Sequence, residues 1–166
     1  MIEPSYNGIV KTYYDSNAIK EDIEFVNGKQ TGLYQSWYEN GHKKMEGNFV
    51  NNNKIGVFYH WHENGNLYEI INYSDNKMDG IYKSFYENGS IQTFANYKNG
   101  VLHGEIKKWF SIGRLEFEGL YVNGVLQDGY KKYDIVGNRR NSSPERNRIN
   151  NMRCCGFKQD DSCIVQ

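Results

Sequence analysis

The chain has 166 residues, 20 basic and 20 acidic, so no net charge points to a nucleic-acid partner. Its aromatic content is high, with 14 Tyr, 8 Phe and 3 Trp, yet no apolar run approaches the roughly 20 residues that span a bilayer. Seventeen Gly against two Pro indicate many tight turns, and residues 1–8, "MIEPSYNG", lack a charged-then-apolar leader, which predicts residence in a cytosol.

In chain order, the elements are short strands punctuated by three recurring marks. The first is an aromatic at Tyr13, Trp37, Trp61, Phe85, Trp109 and Tyr133, always 24 residues apart. It opens the windows "YYDSN", "WYENG", "WHENG", "FYENG", "WFSIG" and "YDIVG", so that Gly41, Gly65, Gly89 and Gly113 close four of them. The second comes half a period later, at Phe25, Phe49, Tyr73, Tyr97 and Tyr121, and opens "FVNG", "FVNN", "YSDN", "YKNG" and "YVNG". The third is glycine at Gly8, Gly32, Gly56, Gly80 and Gly104. At the next such position Asp128 replaces the glycine, with Gly129 shifted by one. No insertion breaks the phase between residues 8 and 137, which marks a repeat architecture.

Each unit reads as two strands and two turns. Asn-Gly between alternating apolar and polar residues is a hairpin signal, because a type I′ turn needs positive φ at both central residues. Gly and Asn tolerate that conformation best, and the exchanges obey this rule: Asn17 stands where later repeats have Gly41 and Gly65, and Asn52 and Asn76 stand at the counterparts of Gly28. The intervening runs, such as "LYQSWY" and "VFYHWH", are rich in aromatic and β-branched residues. A helix would bury Asn-Gly in its interior and is set aside. The fold class is therefore all-β: an elongated antiparallel meander of repeated hairpins in one sheet of about twelve strands, some 50–60 Å long. The aromatics are expected to form cross-strand ladders, with Trp61 packed, Lys54 an exposed turn residue, and Glu39, Glu63 and Glu87 solvating a turn edge.

Composition changes after Gly137, dividing the chain into a repeat domain, 1–137, and a tail, 138–166. Five of the six Arg lie in that tail: Arg139, Arg140, Arg146, Arg148 and Arg153. Its polar, aperiodic sequence predicts disorder. All three Cys are there too, and their odd number and the lack of a nearby His argue against a disulfide framework or zinc. The last four residues, "CIVQ", fit the C-a-a-X pattern, which predicts prenylation of Cys163. One lipid chain anchors weakly, so Cys154 and Cys155 are candidates for palmitoylation, and the five arginines for attraction to anionic lipid. The alternative is an unmodified tail.

His60 and His62 alternate on a strand, and such a pair could hold a surface metal. His62, however, fills the slot of Tyr38 and Tyr86, which favours a repeat variant. No phosphate loop, nucleophile elbow or acid–base pair appears, so neither a cofactor nor a small-molecule substrate is expected.

The "WYENG" and "FVNG" windows, with Gly at 32, 56, 80 and 104, resemble the MORN family in its variant form of about 24 residues per double-strand repeat. The resemblance spans residues 6–137. It implies a twisted β-meander, a non-enzymatic role in protein–protein or protein–membrane contact, and no catalytic residues to map. Bacterial members resemble antitoxins, while relatives in eukaryotes and large amoebal viruses look like scaffolds. Two functions follow: a scaffold held on a cytoplasmic membrane face by its lipidated tail, or a soluble antitoxin-like module that binds one protein.

Overall fold

The computed structural model describes residues 5–140. The repeat becomes ten regular strands: β1 (Gly8–Tyr13), β2 (Ile19–Val26), β3 (Lys29–Trp37), β4 (Lys43–Val50), β5 (Asn53–Trp61), β6 (Leu67–Ser74), β7 (Lys77–Phe85), β8 (Ile91–Lys98), β9 (Val101–Trp109) and β10 (Leu115–Val122). Three short strands follow, β11 (Val125–Leu126), β12 (Lys131–Tyr133) and β13 (Arg139–Arg140). All thirteen form one antiparallel sheet in sequence order, except that β11 and β12 both pair with β10.

The two edges of the sheet use different turns. Along one edge, two-residue loops join β2 to β3, β4 to β5, β6 to β7, β8 to β9 and β10 to β11. Their central pairs both have positive φ, as at Asn27 (49°) and Gly28 (69°), or Asp75 (49°) and Asn76 (63°). These are the expected type I′ turns. The other edge corrects the expectation. Residues 38–42 form a five-residue loop, closed by Gly41 N–H donating to Tyr38 O at 2.9 Å and Tyr38 N–H donating to His42 O at 2.8 Å. Only Gly41 is left-handed (φ 86°); Asn40, Asn64 and Asn88 keep negative φ. One left-handed residue suffices, because a type I turn followed by a glycine bulge reverses the chain, and the register shifts between Ser36 and Trp37. Asn17 can replace that glycine because it adopts φ 63° itself.

The third glycine mark lies inside strands. Gly32 has φ 91° and sits where the β2–β3 register jumps between Ile23 and Phe25. The positive φ is what favours glycine at this bulge; a Cβ there would meet only the movable end of the Glu24 side chain.

The core lies on one face and is built around one row, flanked by a second that includes Phe49, Tyr73 and Leu102. Tyr34, Phe58, Tyr82 and Ile106 from odd strands alternate with Gly47, Ile71, Ala95 and Gly119 from even strands. Phe58 is 0% exposed, Ile71 1% and Ala95 1%. A Cβ on Gly47 would collide with the Phe58 ring, so the ring requires glycine at that position. Edge-to-face contacts link Tyr34 to Phe49 (5.9 Å), Phe49 to Phe58 (5.3 Å) and Phe58 to Tyr73 (5.2 Å).

Two expectations fail here. Trp61 is only half-buried and stacks at 5.9 Å on Tyr59, two residues earlier and therefore on the face opposite Phe58. Lys54 is no free turn residue: it is half-buried, its ammonium 5.2 Å from the Phe58 ring centre and 5.0 Å from that of Tyr73. Burial pushes its pKa down. It occupies the slot that Met78 and Leu102 fill with apolar side chains.

The C-terminal end extends further than composition suggests. Asp128 takes the place of the marker glycine, and the positive φ moves one residue on to Gly129 (88°), which splits one strand into β11 and β12. A last loop then forms at residues 134–138, with Asp134 N–H donating to Asn138 O at 3.0 Å and Gly137 at φ 97°. It pairs Arg139 with Tyr133 and Arg140 with Lys132, so these two arginines belong to the sheet and not to the tail. Backbone pairing is indifferent to their polar side chains.

Candidate protein-binding surface

Side chains bind each repeat to the next along the five-residue loops. The hydroxyl of Tyr14 donates to Trp37 O, Tyr38 to Trp61 O and Tyr86 to Trp109 O, each at 2.8 Å. His62 takes the tyrosine's place, with Nε2 3.4 Å from Phe85 O. Phe110 lacks a hydroxyl, so the row ends there. Asn40, Asn64 and Asn88 form a second row, donating to Glu63 O (2.9 Å), Glu87 O (3.3 Å) and Ser111 O (3.1 Å). Their own carbonyls accept the N–H two residues on. At the opposite edge, Asn52 and Asn76 accept the backbone N–H of Gln30 and Lys54, each at 2.8 Å. Hairpins tied at both edges form a stiff platform.

What the platform presents is the face opposite the core. The residue after each marker glycine is aliphatic there, and exposed: Ile9 (59%), Leu33 (45%), Val57 (38%) and Ile81 (45%). Each alternates along its strand with a core-row neighbour such as Tyr34, Phe58 or Tyr82. Across the sheet the aliphatic residues stand on every second strand, facing Glu24, Asn48, Asn72 and Asn96 on the even strands, until Glu105 takes the aliphatic position. Sequence reasoning missed this row, although aliphatic residues at a 24-residue interval were its signal. Exposed apolar side chains repeated in register are a candidate docking surface.

The two histidines do not converge. His60 is buried on the core face with Nδ1 2.6 Å from Glu69 Oε1, while His62 lies in the loop against Tyr68. β5 ends at Trp61, so His62 leaves the strand before it can stand beside His60. Among the described residues, no three His, Cys, Asp or Glu side chains group to hold a metal. A cleft of about 320 Å³ opens between β10 and the split strand, where Lys131 holds Glu118 at 2.7 Å.

Cys154, Cys155, Cys163, Arg146, Arg148 and Arg153 lie outside the described residues. Trp37, Trp61, Phe85 and Trp109 lend their backbone carbonyls to the inter-repeat row, and Gly41, Gly65, Gly89 and Gly113 all adopt positive φ in its loops. Gly56, Gly80 and Gly104 repeat the positive φ of Gly32 inside β5, β7 and β9.

No curated protein matches the chain. The MORN repeat variant does, four times in succession, at residues 6–27, 30–51, 54–75 and 78–99. Each match covers an odd strand, the five-residue loop and the even strand that follows, and the hairpin of β9 and β10 continues the same geometry beyond the last match. With more than half of its length matched and every matched unit folded alike, this chain belongs to the MORN repeat variant family.

Proposed function

We propose that the protein is a non-enzymatic scaffold that docks a protein partner on the outer face of its sheet and is held at a cytoplasmic membrane face through its C-terminal segment. The observation that carries the docking half is the exposed row Ile9, Leu33, Val57 and Ile81, displayed on a sheet whose other face is occupied by its own core. MORN repeats are in general a non-enzymatic repeat module, which supports the same reading.

The membrane half rests on sequence alone. Cys163, followed by Ile164, Val165 and Gln166, is the proposed prenyl acceptor. Cys154 and Cys155 would supply the second acyl chain that slows release, and the arginines attraction to anionic lipid. The soluble alternative keeps the docking face and drops the lipid.

One experiment in eukaryotic cells separates these parts. Full-length protein, Cys163→Ser and Leu33→Asp/Val57→Asp are fractionated and used as bait. Cys163→Ser is expected to move to the cytosol with its partner still bound, and the double Asp variant to stay on membranes without the partner. Wild type in the cytosol, with Cys163 free of isoprenoid by mass spectrometry, removes the membrane half. Undiminished capture by the double Asp variant removes the docking half.

A further inference from the structure

The outer face carries a second row, straight across the middle of the sheet. Direct cross-strand partners run Lys11 to Asp22, Asp22 to Gln35, Gln35 to Glu46 and Glu46 to Tyr59. Tyr59 then faces Ile70, and the row continues through Lys83, Phe94 and Lys107 to Glu118. It shares the outer face with the aliphatic row, since Gln35, Tyr59 and Lys83 each follow an aliphatic residue by two positions.

The charges along this row are antisymmetric about its centre, which lies between Tyr59 on β5 and Ile70 on β6. One strand further out on each side is Glu46 on β4 and Lys83 on β7. The next pair, Gln35 on β3 and Phe94 on β8, is uncharged. Beyond it come Asp22 on β2 and Lys107 on β9, then Lys11 on β1 and Glu118 on β10. Each charged position mirrors its opposite, with no exception across the ten strands.

From this arrangement we infer that the outer face binds a second copy of the chain. The copies are related by a two-fold axis lying in the interface along the strand direction. That axis sets β4 against the partner's β7 and so joins Glu46 to Lys83, Asp22 to Lys107 and Lys11 to Glu118, with Tyr59 against Ile70 at the centre. The other in-plane axis, along the row, would set every charge on its own copy and is repulsive. Lys83 makes no ion pair among the described residues and is available, whereas Glu46, Asp22 and Glu118 are already paired within the chain, with Lys43 (2.5 Å), Lys11 (3.4 Å) and Lys131 (2.7 Å), and would share those partners with the second copy. Two sheets of the same twist can stack with their strands nearly aligned. The inference rests on the outer face being a docking surface and names its occupant.

The contact is of ordinary size. Ten strands at about 4.8 Å, each contributing about 17 Å of length, give roughly 800 Å² per copy, or about 1,600 Å² in all. That is the usual area of a specific interface, and the quality of the charge pairs rather than the area sets the affinity.

Sedimentation equilibrium of the full-length, unmodified chain from about 5 to 500 µM tests this. Wild type is expected to show a monomer–dimer equilibrium. Lys83→Glu should weaken the dimer at least about tenfold, because it places two pairs of like charges in contact, and Glu46→Lys should do the same. Combining the two changes, or mixing the two single variants, should recover association to within about threefold of wild type. Lys29→Glu, at the exposed first residue of β3, should change nothing. If Glu46→Lys unfolds by circular dichroism, the Asp22→Lys/Lys107→Asp swap replaces it. A wild type that stays monomeric throughout, a Lys83→Glu dimer as tight as wild type, or a swap that restores nothing overturns the inference. A monomer whose partner capture is still lost in Leu33→Asp/Val57→Asp leaves the docking surface standing and removes only the second copy.

Discussion

Replacing Phe58 by Ala should cost far more stability than replacing Trp61 by Ala, although the tryptophan is the larger side chain and the more regular repeat mark. Phe58 is 0% exposed and touches Phe49 and Tyr73 edge-to-face. Its ring lies on Gly47, which has no side chain to close over the cavity. A buried Phe→Ala change costs about 3–5 kcal/mol, and with so little scope for collapse the upper half of that range applies. Trp61 is half-buried on the outer face, where truncation costs about 1–2 kcal/mol. At a urea slope of about 2 kcal/mol/M, Phe58→Ala should lower the midpoint by about 2 M and Trp61→Ala by less than about 1 M. Urea titrations followed by circular dichroism, with Lys29→Ala as an exposed control, measure both. Equal midpoints for the two aromatic variants would refute the assignment of the core to the Phe58 row.

Other changes probe separate parts of the molecule. Lys54→Met should stabilise by up to about 1 kcal/mol, since the lysine is half-buried in a slot that Met78 fills with an apolar chain; thermal melts decide the sign. Tyr86→Phe should lose about 1 kcal/mol by removing the bond to Trp109 O, whereas the row-terminating Phe110→Leu should not disturb that row. Gly32→Val should destabilise by about 1–3 kcal/mol through its positive φ, and Gly32→Asn by less, as chemical denaturation can show. Burial pushes the Tyr34 phenol from 10.0 up to about 12. Its folded value lies above the unfolded one, so its contribution is complete below pH 10 and lost as pH rises towards 12. Stability should fall over that window, and Tyr34→Phe should remove part of the fall.

The period, the turn positions and the strands from β1 to β10 were legible because turn chemistry sets them locally: only Gly and Asn appear where φ is positive in the loops of the first four repeats, apart from Asp75. Which aromatic row forms the core was not legible. Two rows recur at the same interval, and the glycine bulges inside the odd strands and in the five-residue loops decide which face each one reaches. Lys54 misled for a related reason, since its proximity to a turn suggests exposure while its register places it beside Phe58. The roles of Tyr38 and Asn40 depend on backbone carbonyls 23 residues away, which no local pattern announces. Arg139 and Arg140 were assigned to the tail by composition, but the loop closed by Gly137 carries them back onto β12.

The claim that the outer face is the binding surface can be tested most directly by photo-crosslinking in cells, with a photoreactive amino acid placed singly at Leu33, Val57 or Ile81 and, as controls, at two exposed positions on opposite edges of the sheet, Lys29 at the start of β3 and Glu63 in a five-residue loop. An outer-face binding surface predicts discrete crosslinked species from all three outer-face positions and none from the two edge positions. Crosslinks from Lys29 and Glu63 with none from Leu33, Val57 and Ile81 would contradict it.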